Sequence, residues 1–198
     1  MKSKHSLILA SASPRRLDLL KQLNITPKDV LPADIDEAEH KGERPRDAAL
    51  RLAVEKAHAT QSKYTDKTKG CYILAADTLV ACGRKILPKS EDKETAKACL
   101  EQLSGRRHHV YGGLAVITPD GKTVKRLIDT IVQFKKLTPQ DIETYLETGQ
   151  WQGVAGGYAI QGYASAFIKS IQGSYSNVVG LSLYDTMKIL EGNGFFQK

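Results

Sequence analysis

The sequence predicts an α/β fold, and three observations support this class. Strand-like apolar runs alternate with helical patterns through the first hundred residues, and two long strand-like runs flank a turn signal after residue 110. No repeat, low-complexity tract or linker divides the 198 residues into independent units. A chain of this length buries a sizeable core, so we expect one compact body spanning residues 1–198.

The N-terminal third predicts a strand followed at once by a helix. Residues 7–10 are apolar and strand-like, and leucines recur at helical spacing through residues 14–23. Ser13 suits the N-cap, and Pro14 suits the first helical position, where its missing N–H has no partner to lose. A second helix is expected over residues 45–62, with one alanine- and leucine-rich face.

The middle of the chain predicts an interrupted strand and a third helix. Residues 72–76 indicate a buried strand that breaks at Asp77-Thr78 and resumes over residues 79–82. The helix is expected to begin at Ser90, with acidic residues in its first turn, and to close at Gly105.

The remainder of the chain is richer in strands. Residues 110–118 and 124–134 predict an antiparallel hairpin around Pro119-Asp120-Gly121. The other expected elements are a helix over residues 139–147, strands over 158–160 and 166–171, and a last helix over 183–191.

The charge balance suits two kinds of partner. A net charge of +7 and a pI near 9.2 fit either a nucleic-acid binder or an enzyme acting on a polyanionic small molecule. The basic residues are dispersed, and the densest clusters are pairs such as Arg106-Arg107 and Lys135-Lys136 without interleaved aromatic residues. This dispersal weakens the nucleic-acid interpretation.

The cysteines and the N-terminal residues indicate a cytoplasmic protein. Cys71, Cys82 and Cys99 form no C-x-x-C pair, so we expect three reduced thiols that act as small buried hydrophobic residues. The apolar run at residues 6–11 is too short to span a membrane, and no cleavable signal precedes it.

The first candidate site is the segment Ser11-Ala12-Ser13-Pro14-Arg15-Arg16. Free N–H groups at a helix N-terminus, with serine hydroxyls and guanidinium groups, are suited to binding phosphate. Plain helix capping with two exposed arginines is the alternative. Two cations at the positive end of a helix are unfavourable unless an anion binds there, which favours a functional site.

The second candidate is Asp77, an acid between two apolar runs. A buried carboxylate needs a partner, so Asp77 suits a general base or a Mg²⁺ ligand, with an Asx-turn or a cap as the alternative. Glu37, in the acidic run Asp34-Ile35-Asp36-Glu37, offers a second carboxylate, although such runs are commonly solvated loop charge. Lys56 and Lys89 would suit a triphosphate, but a single lysine is more often a solvated surface charge.

The third candidate comprises residues 158–164 and 173–181. Gln161, between a strand-like run and a glycine, could present its amide to a base edge, while the glycines allow close approach of the backbone. Both stretches are also compatible with simple turns. Neither matches a phosphate-binding P-loop or a dinucleotide fingerprint.

Together these segments resemble the Maf-like family, once described as septum-formation inhibitors and now known as nucleoside triphosphate pyrophosphatases. The resemblance covers nearly the whole chain. It rests on S-x-S-P-R-R at residues 11–16, A-A-D-T at 75–78, L-S-G-R at 103–106, and Y-x-I-Q-G followed by N-V-V-G-L near the end.

The resemblance implies a mixed twisted sheet with flanking helices and two lobes around a central cleft, together with dependence on a divalent metal cation, Mg²⁺ or Mn²⁺. It implies attack of water at the α-phosphorus, with pyrophosphate leaving. By position, Asp77 is the proton acceptor and Glu37 a metal or water partner. The implied phosphate contacts are Ser13, Arg15, Arg16, Lys56 and Lys89.

Within the family, Arg15, Thr78 and Gln161 resemble the branch that favours dTTP and UTP over 7-methyl-GTP. The chain has Pro88-Lys89-Ser90 where members commonly have G-K-P, so the loop around Lys89 departs from the family pattern.

Two alternative functions stay open at this point: a nucleic-acid-binding regulator of division and an enzyme that removes modified nucleotides. The oligomeric state is also open, with a homodimer as one option. The expected partner is a nucleoside triphosphate, and specific nucleic-acid binding and membrane association are not expected.

Overall fold

A seven-stranded mixed sheet flanked by helices forms the centre of the protein, seen in a computed structural model that describes residue 3 and residues 5–32 and 34–196. The strands are β1 (Leu7–Leu9), β2 (Asp29–Val30), β3 (Tyr72–Cys82), β4 (Lys85–Leu87), β5 (Arg107–Ile117), β6 (Thr123–Phe134) and β7 (Ile168–Gln172). The helices are α1 (Pro14–Gln22), α2 (Pro45–Lys63), α3 (Thr65–Thr68), α4 (Lys93–Leu103), α5 (Pro139–Glu147), α6 (Tyr175–Val179) and α7 (Leu183–Gly192).

Strand β3 organises the sheet, whose main order is β2-β1-β3-β5-β6-β7. β1 runs parallel to β2 and β3, whereas the pairs from β3 through β5 and β6 to β7 are antiparallel. One edge of β3 pairs with β5 from Ile73 to Ala81. The other edge pairs with β1 over residues 72–74 and with β4 over residues 80–82, so the edge between these two stretches is open.

Side chains of β3 alternate between two hydrophobic clusters, as the period of a strand requires. Tyr72 and Leu74 belong to the cluster that includes residues of α1 and α7. Ile73 and Ala75 belong to the cluster that includes residues of α2. A third cluster joins α4 and α5 to β5, β6 and the segment 158–167.

Several predicted elements are confirmed. Helices α1, α2, α5 and α7 begin at the expected residues, and each ends within one residue of its expected end. The predicted hairpin is formed by β5 and β6, with β5 beginning three residues earlier than expected. A mixed sheet with flanking helices is therefore correct, while a division into two lobes stays a prediction.

The predicted break at Asp77 is wrong, because β3 continues through it. Asp77 pairs with Gly113 and Thr78 pairs with Gly112 in an unbroken antiparallel ladder. Polar residues in an apolar run suggested a strand end, but here the backbone bonds persist and the polar side chains find partners on the neighbouring helices.

Two further expectations require correction. Helix α4 begins at Lys93, three residues after Ser90, because Asp92 is the N-cap and accepts a 2.6 Å hydrogen bond from the Thr95 N–H. Residues 158–160 form no strand, and the Ala159 N–H bonds instead to the Tyr145 hydroxyl at 3.0 Å.

Smaller differences concern short elements and one cysteine. The expected strand over residues 166–171 is β7, which begins two residues later than predicted because Tyr163–Phe167 form a 3-10 helix. β2, β4, α3 and α6 are too short for a periodic pattern to predict. Cys71 and Cys99 are buried as expected, whereas Cys82 is only half-buried.

Within the described part of the chain, no helix combines the length and apolar character that crossing a bilayer requires.

Candidate active site

The open edge of β3 presents two polar side chains in opposite directions. Asp77 has the same parity along the strand as Ile73 and Ala75, so its side chain points toward α2. Thr78 has the opposite parity and points toward α1. A site at the gap between β1 and β4 can therefore draw side chains from both faces of the sheet.

A cavity of about 500 Å³ lies at this gap. The residues predicted from the sequence to form a site all line it, although they come from six separate segments of the chain. They are Ser13, Arg15, Arg16, Glu37, Lys56, Asp77, Thr78, Lys89 and Gln161. The structure thus brings the complete predicted set together.

Arg16 forms the centre of the α1 side of the cavity. Its Nε donates to the Gly180 carbonyl at 2.8 Å, Nη1 donates to Ser11 Oγ at 2.9 Å, and Nη2 donates to Thr78 Oγ1 at 3.2 Å. Burial lowers the pKa of Arg16 below its ordinary value, while the negative charge of Asp77 acts in the opposite direction. An arginine remains charged under these conditions, so Arg16 brings a fixed cation to the cavity wall.

Ser13 and Arg15 complete this side. Ser13 occupies the N-cap of α1 as predicted, but its side chain makes no capping hydrogen bond. Its N–H donates to Ser11 Oγ at 3.2 Å. Neither the Ser13 hydroxyl nor the Arg15 guanidinium is hydrogen-bonded to a described residue, so both can donate to a ligand at the helix N-terminus.

Lys56 forms the centre of the α2 side. Its Nζ lies 2.6 Å from Asp77 Oδ1 and 2.5 Å from Glu37 Oε1, so a single ammonium joins the two carboxylates. Asp77 is 4% exposed and Lys56 9% exposed, which means that each relies on the other for charge compensation. Asp77 Oδ2 accepts no hydrogen bond from a described residue.

Lys89 also contacts Glu37, with Nζ 2.9 Å from Oε2. Burial alone would raise the pKa of Glu37, but hydrogen bonds from Lys56 and Lys89 and their positive charges lower it to about 2. Glu37 is therefore ionised at neutral pH. The altered loop around Lys89 still directs its ammonium to the cavity.

The carboxylates of Glu37 and Asp77 have the donor chemistry of a Mg²⁺ or Mn²⁺ site. The described residues contain no group of three or more His, Cys, Asp or Glu side chains placed to hold a metal ion. A cation bound here would accordingly take two protein ligands and complete its coordination with water or a ligand, which is common for Mg²⁺.

The remaining wall is formed by an irregular segment, residues 152–161, and by apolar residues of β3 and α6. Gln161 is exposed at this wall, and its amide is not bonded to a described residue. Tyr158 is buried, and its hydroxyl lies 2.7 Å from His108 Nε2. Side-chain hydrogen bonds therefore hold this segment where a strand was expected.

The sequence placed Ser11, Asn177 and Gly180 in the candidate segments but did not predict how they support the site. The Ser11 hydroxyl and the Gly180 carbonyl hold Arg16. Asn177 Nδ2 donates to the Val110 carbonyl at 3.0 Å and to Thr130 Oγ1 at 3.1 Å, which anchors α6, the helix that carries the chain to Gly180. The position of Asn177 at the start of N-V-V-G-L was the available signal.

The arrangement separates two chemical tasks. The α1 side offers cations and hydroxyl donors suited to phosphate oxygens, and the α2 side offers two carboxylates, of which Asp77 has one unbonded oxygen among the described residues. The third wall is formed by the irregular segment 152–161, which brings the amides of Gln152 and Gln161, and by apolar residues of β3 and α6.

Comparison with known proteins gives a consistent result. The sequence profile of the family described as "Maf-like protein" matches residues 6–193. A "dTTP/UTP pyrophosphatase" of Paramagnetospirillum magneticum is 54% identical over 189 residues, covering 96% of this chain and 97% of that protein. A protein of the same description from Caulobacter vibrioides is 52% identical over 190 residues, covering 96% of each.

Solved structures show a weaker likeness. A HAM1 protein from Coxiella burnetii is 15% identical and covers 66% of this chain and 73% of that one, with a TM-score of 0.44. A likeness at this level carries no functional information, whereas the profile match and the identities above span nearly the whole chain. The chain belongs to the Maf-like protein family.

Proposed function

We propose that the protein hydrolyses dTTP or UTP to the nucleoside monophosphate and pyrophosphate. The observation that carries the proposal is the convergence of phosphate-binding cations, an ionised carboxylate and a free amide on one cavity of about 500 Å³. The names of the relatives described above support the same chemistry and the same two substrates.

In the proposed reaction, a water oxygen attacks the α-phosphorus and the bond from that phosphorus to the bridging oxygen breaks. Asp77 accepts the proton of the water, for which its Oδ2 is unbonded among the described residues, and pyrophosphate takes the bonding electrons. Lys56 Nζ, 2.6 Å from Asp77 Oδ1, compensates the charge of the carboxylate and leaves Oδ2 for the water.

The cations divide between binding and charge neutralisation. We assign Ser13, Arg15 and Arg16 to phosphate oxygens at the N-terminus of α1. Lys56 and Lys89 lie on the opposite side and would meet the growing negative charge of the leaving group. Each already contacts a carboxylate, so substrate phosphates would share or replace those ion pairs.

A divalent metal cation is part of the proposal. Glu37 and Asp77 would hold it together with substrate oxygens, and when bound it would neutralise charge on the transferring phosphoryl group. Mg²⁺ and Mn²⁺ both prefer such oxygen donors, and Lys56, now between the two carboxylates, would shift toward the phosphates.

Selectivity is assigned to Gln161, with Thr78 and Arg15 beside it. An amide offers an acceptor and two donors, so it can pair with the neighbouring carbonyl and N–H of a uracil or thymine. A positively charged methylated purine would favour a carboxylate in this position.

We further propose a cytoplasmic location, which is consistent with three free cysteines. The two lobes, the homodimer and the expectation of no specific nucleic-acid binding stay predictions.

The test is a substrate panel with direct measurement of pyrophosphate and orthophosphate. We expect dTTP and UTP to give pyrophosphate with the highest kcat/KM, CTP to follow, and 7-methyl-GTP to react poorly. Preference for 7-methyl-GTP would contradict the assignment of the base. Salt-dependent DNA binding without release of pyrophosphate would contradict the proposed function as a whole.

A further inference from the structure

A segment without helix or strand carries Glu37 to the cavity. We name residues 34–44 the acidic loop. Among the described residues, its only internal backbone–backbone hydrogen bond over residues 34–43 joins the Glu43 N–H to the His40 carbonyl at 2.9 Å. A loop with so few backbone bonds does not by itself fix the position of a side chain, so the position of Glu37 must depend on side-chain contacts.

Arg51 of α2 supplies such contacts. Its Nε lies 2.8 Å from Glu43 Oε1 and its Nη2 lies 2.8 Å from Glu43 Oε2, which is the two-pronged geometry that makes arginine–carboxylate pairs strong. Nη2 also donates to the Ala38 carbonyl at 3.1 Å. Arg51 therefore holds the loop at the residue next to Glu37 and again five residues later.

This ion pair is better shielded from water than the contacts of Glu37 itself. The side chains of Arg51 and Glu43 are 17% and 12% exposed, whereas that of Glu37 is 42% exposed. The pKa of Glu43 falls to about 2, chiefly through the hydrogen bond from Arg51, so the pair stays charged at neutral pH. The shielded pair is the firmer attachment, because exposed pairs contribute little.

We infer that Arg51 is a positioning residue that acts through Glu37. α2 carries both Lys56, which contacts Glu37, and Arg51, which fixes the loop backbone beside it. Arg51 does not line the cavity. The pair of Arg51 and Glu43 keeps the carboxylate of Glu37 within reach of Lys56, Lys89 and a cation on substrate. The part of this inference that concerns turnover rests on the proposed function.

The first readout needs no substrate. Lys41 is the only lysine of the acidic loop and it is exposed, so a lysine-specific protease reports how often the loop detaches. Arg51→Gln should raise the rate of cleavage after Lys41 by about tenfold, because cleavage follows the population of the open loop. Glu43→Gln should reproduce this increase if Arg51→Gln fails to fold.

Arg44→Gln is the matched control. Arg44 lies at the start of α2, where among the described residues it pairs with Asp47 alone, and both side chains are largely exposed. The cleavage rate of this variant should stay within about twofold of wild type, since exposed pairs contribute little. A tenfold increase in this variant too would mean that any lost charge loosens the loop, which would overturn the role of Arg51.

The second readout is a double-mutant cycle on kcat/KM for dTTP. Arg51→Gln should lower kcat/KM by about tenfold in wild type but by less than about twofold in a Glu37→Gln background, because its effect passes through Glu37. Equal losses in both backgrounds, or unchanged cleavage after Lys41, would overturn the inference. A wild-type protein inactive on every triphosphate would instead contradict the proposed function, with the protease result still standing.

Discussion

At the scale of single residues, the site depends on which charges remain uncompensated once their neighbours are counted. Asp77 has Lys56 as its cation, and Lys56 in turn has Glu37 as a second anion. Arg16, by contrast, is held by neutral acceptors, namely a carbonyl and two hydroxyls. Its positive charge is therefore available to an anionic ligand, as the resemblance implied.

Asp77→Asn should retain the fold and lose most turnover. The amide is nearly the same size as the carboxylate but cannot accept a proton, and a general base contributes on the order of 10²- to 10⁴-fold. Lys56 keeps Glu37 as a partner, so its charge stays compensated in the variant. The measurement is kcat/KM for dTTP together with the thermal unfolding midpoint.

The exposed pair of Asp18 and Lys21 provides the control for Asp77→Asn. Asp18→Asn makes the same chemical change outside the cavity and should leave kcat/KM within about twofold of wild type. Activity of Asp77→Asn within about threefold of wild type would remove Asp77 from the role of general base.

Gln161→Glu should lower kcat/KM for dTTP and UTP by more than about tenfold. The carboxylate lacks the donors of the amide, so the carbonyl of the pyrimidine would lose its partner. Gln152→Glu adds the same charge to another exposed residue that lines the cavity, so it separates lost pairing from simple repulsion. Equal losses of kcat/KM in the two variants would show that Gln161 does not recognise the base.

At the scale of elements, close packing against β5 fixes the positions of the two helices that support the site. A Cβ added at Gly112 would lie 1.8 Å from Asn177 Oδ1, and one added at Gly113 would lie 1.9 Å from the Ala49 carbonyl of α2. These two glycines allow α6 and α2 to pack against β5. α6 leads to Gly180 and hence to Arg16, and α2 carries Lys56.

Gly112→Ala should therefore impair both stability and substrate binding. Displacing Asn177 costs its hydrogen bonds to Val110 and Thr130, and overpacking of this kind typically costs about 1–3 kcal/mol. Denaturant unfolding and KM for dTTP measure the two effects. Gly192→Ala, at the end of α7 with no atom within 4 Å of the added Cβ, is the control and should be neutral or slightly stabilising. A Gly112→Ala protein as stable as wild type would contradict this packing argument.

The separation along the chain between interacting residues determines which elements could be predicted from the sequence. Leucine spacing, Pro14 and the turn at Asp120 predicted helices and a hairpin because those signals are local. The break at Asp77 was predicted wrongly because the partner that tolerates a buried carboxylate, Lys56, lies 21 residues away on another element. Contacts such as Asn177 with Val110, 67 residues apart, leave no local pattern.

At the scale of the whole molecule, the response of stability to pH follows from a buried histidine. Burial lowers the pKa of His108 to about 4. Its folded pKa lies below the unfolded value near 6.5, so the unfolded chain binds the proton first as the pH falls. The contribution of neutral His108 to the free energy of unfolding is therefore fully present above pH 6.5 and is lost progressively as the pH falls to about 4.

His108→Gln should remove about 2 kcal/mol of the stability change between pH 7.5 and pH 5, because the neutral amide cannot take up a proton. Urea unfolding at the two pH values measures the difference. An identical pH dependence in wild type and His108→Gln would contradict the assignment.

The tertiary structure also explains why the site residues were easier to predict from the sequence than the residues that hold them in place. Ser13, Arg16, Asp77 and Gln161 occur in motifs whose residue types already imply phosphate, proton and base chemistry. Arg51 occurs in an ordinary amphipathic helix, and only the tertiary path of the acidic loop brings Glu43 to it. Reactive groups are recognised by type, whereas supporting groups are recognised only by position.

The proposed function depends on attack of water at the α-phosphorus of a pyrimidine triphosphate in this cavity. Hydrolysis of dTTP in water enriched in ¹⁸O tests this step, with mass spectrometry of both products. We expect the label to enter the nucleoside monophosphate and pyrophosphate to carry none. Label in pyrophosphate, or formation of a nucleoside diphosphate and orthophosphate, would contradict it.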